Sequence, residues 1–143
     1  MISNSSKYAL KAVLYLAVNT SEEKRILAKD ISGPTNVPPA YLSKLMQDLS
    51  RHKLISSTRG PGGGFYLTEE NRRVTLIEII QVIDGDHRLK SCILGLNLCD
   101  ESHPCPMHHL VGETKTNFLK NLEETTIQDL VSRVKDGTSF LPL

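Results

Sequence analysis

All three cysteines and three of the five histidines fall within one stretch, CILGLNLCDESHPCPMHH, running from Cys92 to His109. Thiolate and imidazole are the donors that hold zinc and iron. Their spacing here is Cys92-x6-Cys99-x5-Cys105-x2-His108. Structural zinc sites are usually built from tighter Cys-x2–4-Cys pairs, because a single turn must aim both thiolates at one small ion. Wider gaps suit a bulkier iron–sulfur cluster, which thiolates hold at its corners. On spacing alone three readings stand: a cluster, a zinc ion, or a loop that binds no metal. His108 is a reasonable fourth donor. His109 points roughly 100° away from it once Pro106 starts a helix, and His103, inside the loop, stays open as an alternative.

Other chemistry is a poorer fit. The glycine-rich run Arg59-Gly60-Pro61-Gly62-Gly63-Gly64 is followed by Phe65-Tyr66-Leu67, not by the Lys-Ser/Thr and helix that a phosphate-cradling loop needs. Cys105 and His108 resemble a nucleophile and its base, but no oxyanion-type glycine turn lies beside them. No enzyme is expected. An odd number of cysteines argues against a disulfide framework. The N-terminus, MISNSSKYAL, has no secretion-signal pattern, and no apolar run approaches the ~18 to 20 residues that span a bilayer. The expected location is therefore the cytoplasm, with thiols reduced and no membrane partner.

The net charge of +1 hides an asymmetry. Residues 1–60 carry nine Lys/Arg against four Asp/Glu, and residues 61–143 carry eight against twelve. A polyanion would meet the front of such a chain.

The elements that must position these groups follow from periodicity. Residues 5–19 have helical spacing, with Ser5 or Ser6 as N-cap. Ile26 to Ser32 predicts a short helix stopped by Gly33-Pro34. Pro38-Pro39 opens a further helix to about His52. In it Leu42, Leu45, Met46 and Leu49 form one buried stripe, with Ser43, Lys44, Gln47, Asp48 and Arg51 on the remaining surface. Leu54–Ser57 and Phe65–Thr68 predict two strands around the glycine tip. Thr75–Asp84 predicts another helix. Residues 107–135 read as one long helix, whose apolar side calls for a second copy of the chain or, as the rival reading, for a fold back onto its own domain.

Helix, short helix, helix and hairpin is the order of a winged helix-turn-helix, with the second helix of the turn in a major groove and the wing at phosphates or the minor groove. Tyr41, Ser43, Lys44 and Gln47 are then groove-facing, and Arg59 suits a narrow minor groove. Gly60, Gly62 and Gly63 let the wing backbone approach DNA closely. The expected fold is mainly α with a small β-hairpin wing. It divides into a winged helix-turn-helix domain at 1–84, a cysteine-rich loop at 85–106, and a dimerisation helix with C-terminal tail at 107–143.

From SKYALKAVLYLA through YLSKLMQDLSRHKLISSTRGPGGGFYL to the three-cysteine loop and terminal helix, the chain resembles the Rrf-type (Rrf-two) winged-helix transcription regulators. The resemblance implies a homodimer with crossing long helices that reads a roughly palindromic operator in double-stranded DNA, as a repressor. It also implies a two-iron or four-iron cluster whose gain, loss or modification changes DNA affinity. By position Cys92, Cys99 and Cys105 match the cluster thiolates, and His108 matches the histidine ligand of the IscR-like branch. The NsrR-like branch takes an aspartate near the N-terminus from the partner, where this chain has Lys7.

Two departures bear on that carry-over. The first gap is x6 where IscR-like members usually have x5, which leaves the cluster type open. Ala40-Tyr41-Leu42-Ser43-Lys44 stands where those members often show Ser-Tyr-Leu-Glu-Gln. Without the Glu, which can accept from cytosine, a different operator preference is expected. Two alternatives accompany this reading. One is the same DNA-binding regulator sensing by thiol oxidation or zinc; the other is an interaction module regulated by a partner enzyme.

Overall fold

The computed structural model describes residues 2–97 and 100–143; Cys99, one of the three expected thiolate donors, lies outside them. The first helix, α1 (Asn4–Asn19), turns Ala9, Ala12, Val13, Leu16 and Ala17 inward. Their i, i+3, i+4, i+7, i+8 spacing is that of one helical face. Its cap is Ser3, not Ser5 or Ser6: the Ser3 hydroxyl accepts from the Ser6 N–H at 3.0 Å. A serine two positions before Ser5 thus satisfies an otherwise orphaned amide.

The second helix, α2 (Ala28–Thr35), begins later than expected and runs through Gly33 and Pro34. Pro34 forfeits one ladder bond, but hydroxyls serve the last turn. Thr35 donates to the Ile31 carbonyl at 2.6 Å and Ser32 to the Val37 carbonyl at 2.5 Å. Asn36, in the left-handed region at φ 54°, ends the helix. Ile26 is not helical. It pairs with Phe65 through hydrogen bonds of 2.7 and 3.0 Å, laying an isolated bridge along the wing.

Pro39 opens α3 (Pro39–Arg51), which buries Leu42, Leu45, Met46 and Leu49 as their spacing predicts. The wing strands are shorter and displaced from the expected ranges: β1 is Ser56–Thr58 and β2 is Gly64–Tyr66, antiparallel with Ser57 opposite Phe65. Leu54, Ile55 and Leu67, expected within strands, are instead plugs in the core. A Cβ at Gly63 would lie 2.3 Å from the Thr58 carbonyl oxygen, and one at Gly64 2.8 Å from the Ile26 backbone. These glycines are needed by the turn itself, beyond any approach to DNA.

A single turn, α4 (Glu69–Arg72), fastens the wing. The buried Asn71 amide accepts from the Ser56 hydroxyl at 2.7 Å and donates to the Lys53 carbonyl at 3.2 Å. Next comes α5 (Leu76–Asp84), whose Ile79 joins the main core while Ile77 and Ile80 join a second, smaller one. A short helix, α6 (Asp86–Lys90), precedes the cysteine segment and adds Leu89 to that second core.

The long helix expected over 107–135 is two. α7 (His108–Glu124) stops at Thr125, and α8 (Ile127–Lys135) starts from Thr126. The Thr126 hydroxyl accepts from the Asp129 N–H, and the Asp129 carboxylate accepts from the Thr126 N–H. This capping box is legible in Thr126-Ile127-Gln128-Asp129 as a helix start. The break is also held from outside, because Leu76 and Ile127 donate across a Thr75–Thr126 bridge at 3.0 Å each. Ile127 and Val131 are fully buried against α1 in the main core. The last helix therefore folds back onto its own domain, while α7 packs on α5 through Leu122.

Replacing Gly64 with Ala should lower the free energy of unfolding by about 1–3 kcal/mol, the usual cost of a strained backbone position. It combines φ 145° with a backbone neighbour that has no flexible end to yield. Urea denaturation followed by circular dichroism measures this; an unchanged midpoint contradicts it.

Candidate functional site

Two separate surfaces carry the residues singled out by sequence. On the first, α3 and the wing enclose an open groove of about 630 Å³. Gln47 lines it from the helix and Arg59 from the wing tip, so two side chains expected to touch DNA share one concave face. Ser50, Arg51 and Thr58 line it too, without any local pattern that marks them for it. Spacing along α3 puts Arg51 on the surface and gives no hint that the wing comes to face it. Lys44 is exposed and Ser43 half-buried on α3, while Gly60 and Gly62 are exposed at the tip. Both have positive φ, 86° and 73°, which glycine adopts without strain.

Tyr41 is more constrained than expected. Its hydroxyl is hydrogen-bonded to that of Ser5, and its ring meets Tyr8 edge-on at 6.1 Å between centroids. It is 38% exposed and anchors α3 to the start of α1, and it is not among the residues that line the groove.

The second surface lies between α6 and α7. Cys92, 5% exposed, follows α6, and Cys105 is half-buried just before α7. Their Sγ atoms are 3.7 Å apart. Two thiolates on one tetrahedral ion at about 2.3 Å each sit about 3.8 Å apart, so this pair already has the separation that a shared metal atom imposes. A cavity of about 540 Å³ beside them is also lined by Glu101, His108, His109 and Lys115. The Cys105 carbonyl accepts from the His108 N–H at 2.9 Å, which holds this thiol and imidazole one turn apart.

His103 is turned elsewhere. It is 88% exposed and 3.0 Å from the Asp100 carboxylate, which it holds below the usual carboxylate range together with the Ser102 N–H. Among the described residues no three Cys, His, Asp or Glu side chains converge closely enough to hold a metal ion.

The local fields favour thiolate. The Leu94 backbone N–H, with further help from Leu96, Cys105 and Lys115, holds the Cys92 thiol below its ordinary range against the opposing effect of burial. Lys115 has a second role that its position in the sequence does not reveal. Its ammonium donates to the Lys90 carbonyl at 2.9 Å and the Ser91 carbonyl at 2.6 Å, pinning α7 to the chain just ahead of Cys92. Further back, the Asp84 carboxylate, 4% exposed, accepts from the Ser3 N–H at 3.1 Å and from the Ser3 hydroxyl, with the Arg88 guanidinium 3.9 Å away. The approach to the cysteine segment is thereby tied to α7 and, further back through α6, to the cap of α1.

Substituting Lys115 with Met should speed amide hydrogen exchange in residues 91–97 and leave α1–α3 unaffected. Mass spectrometry of peptides from both regions would show it; equal protection in the variant would mean that the two carbonyl contacts do not order the segment.

Comparisons with known proteins bear on the fold as a whole. Residues 2–133 match the family described as Rrf2, iron-dependent transcriptional regulator. A protein of Aquifex aeolicus described as an HTH-type transcriptional regulator is 31% identical over 134 residues, covering 92% of each chain. The HTH-type transcriptional regulator IscR of Klebsiella pneumoniae is also 31% identical, over 92% of this chain and 79% of its own length. Among solved structures, CymR, the global cysteine regulator of B. subtilis, superposes with a TM-score of 0.71 at 27% identity, covering 92% of this chain and 96% of the other.

Proposed function

The chain belongs to the Rrf2 family of DNA-binding winged-helix transcriptional regulators, and on that premise we propose that it is a homodimeric repressor controlled by an iron–sulfur cluster held by Cys92, Cys99, Cys105 and His108. The observation that carries this reading is the 3.7 Å approach of the Cys92 and Cys105 thiols beside a cavity that His108 lines. The family's description as iron-dependent supports it. The donor set fits as well: three soft thiolates and an imidazole suit iron better than hard oxygen-binding cations. When bound, the cluster would supply a centre sensitive to iron supply, nitric oxide or oxidant.

The protein's own residues would do the rest. Cys92 stands at the end of α6 and Cys105 just ahead of α7, so holding both thiols together restrains the junction between the two helices. Leu89 of α6 and Leu122 of α7 pack on Ile77 and Ile80 of α5. α5 in turn packs on α1 and α3. Order at the thiols thus biases how α7 sits relative to the helix that reads DNA. Two readers that must engage two half-sites together lose affinity when their spacing changes.

A second copy is supported by apolar surface left uncovered. Leu110 at the start of α7 is 72% exposed, and Ile93, Leu94 and Leu96 of the cysteine segment are each about half exposed. On DNA, Ser43, Lys44 and Gln47 would face the major groove, with Tyr41 bracing that helix. Arg59 would enter the minor groove while Gly60, Gly62 and Gly63 bring the wing backbone close. No helix among the described residues is long and apolar enough to cross a membrane.

Arg59→Ala should weaken binding to a cognate operator about tenfold, roughly 1.4 kcal/mol. It should also flatten the salt dependence by about one counterion. Fluorescence anisotropy across a salt series reads both, and unchanged binding would remove the wing from the mechanism. Anaerobic purification with visible absorption and iron and sulfide analysis tests the cluster. Cys105→Ala should lose the iron and sulfide while sedimentation still reports a dimer; a colourless, zinc-loaded wild-type protein would overturn the cluster reading.

A further inference from the structure

The thiol pair has a second chemistry that does not depend on what metal it holds. We propose that in the metal-free protein Cys105 and Cys92 close an intramolecular disulfide under peroxide, with Cys105 as the attacked thiol and Cys92 as the resolving one, so that oxidation shuts the metal site. Three observations carry this. The Sγ atoms stand 3.7 Å apart, and a disulfide needs roughly 2.0 Å. Neither cysteine lies inside a helix or strand, so closing the gap bends no regular element. The two thiols also differ in access: both line the cavity of about 540 Å³, but Cys105 is half-buried whereas Cys92 is 5% exposed.

The order of events follows from that difference. Hydrogen peroxide reaches Cys105 first. Its thiolate sulfur attacks one peroxide oxygen, the O–O bond breaks, and the leaving hydroxide takes up a proton to become water. Cys105 is then a sulfenic acid, oxidised by two electrons. The Cys92 sulfur, already in contact, attacks the Cys105 sulfur. The S–O bond breaks, the S–S bond forms, and the departing hydroxide leaves as water with the Cys92 thiol proton. Two thiols and one peroxide give one disulfide and two waters. Because metal binding needs both sulfurs as thiolates, the linked pair cannot take metal until a thiol reductant restores it.

The test uses the full chain, reduced and stripped of metal, then exposed to an equimolar amount of hydrogen peroxide and alkylated. Peptide mass spectrometry should find Cys92 linked to Cys105 within one chain, Cys99 alkylated, and the link reversed by dithiothreitol. Linkage through Cys99, linkage between chains, or no linkage would overturn the pairing. With dimedone present, Cys92→Ser should accumulate an adduct on Cys105, while Cys105→Ser should give none on Cys92. The reverse pattern would overturn the order of attack. Cobalt(II) supplies the readout of gating: thiolate-to-metal charge-transfer absorption should appear with the reduced protein and be absent after oxidation. Equal cobalt uptake by both forms would sink the gating. Iron and sulfide content of the anaerobically purified protein tests the cluster separately, so the two readings fail independently.

Discussion

Ile79 is buried beneath α1 and α3, while Ile77 and Ile80 of the same helix pack against Leu89 and Leu122. α5 is thus shared between two cores: one belongs to the winged helix, the other supports the cysteine segment and α7. Burying each of these isoleucines stabilises the fold by roughly 1.5–3 kcal/mol, so α5 cannot move without disturbing both. The proposed coupling of the thiols to α3 would need a stiff element between them, and close-packed interiors supply that stiffness. The length of α5 is set at both ends by local chemistry. Thr75 and Glu78 form a capping box at its start, and Gly85, with φ 79°, ends it.

Around this splint, polar contacts fix the angles that apolar packing leaves loose. Asp84, at the end of α5, receives two hydrogen bonds from Ser3, the cap of α1. Arg72 donates to the Ala17 and Thr20 carbonyls at the other end of α1, at 2.9 and 3.3 Å. The first helix is therefore held at both termini by residues far along the chain. Ser5 and Tyr8 then pass its position to Tyr41 and the start of α3. The wing has its own fastening in Asn71 and in the Ile26–Phe65 bridge. The result is a reading head whose helix and wing hold a defined distance, while the thiol site joins it through α5 and α6.

Much of this was legible along the chain. The stripe on α3, the proline at its start, the hairpin between strand-like segments and the grouping of Cys92 and Cys105 with His108 all follow from local pattern. The two-helix division of residues 107–135 was also legible, because Thr126-Ile127-Gln128-Asp129 is a helix start. The apolar period running through both helices masked it. Other features had no local signal. Nothing near Ile26 says that it will pair with Phe65, and nothing near Arg51 says that the wing will face it. The role of Lys115 depends on two carbonyls about 25 residues earlier, and carbonyls look alike in every sequence.

What the sequence by itself determined was which residues avoid water, where helices start and stop, and which donors are available for chemistry. These are properties of neighbouring residues, set by the 3.6-residue period, by capping hydroxyls and by glycine's freedom at positive φ. Only the tertiary structure decided that Ile127 and Val131 return to the α1 core, that Gln47 and Arg59 line one groove, and that Cys92 and Cys105 meet. Those outcomes depend on which buried faces find each other across the chain. Apolar periodicity marks a face for burial without naming the surface that will cover it.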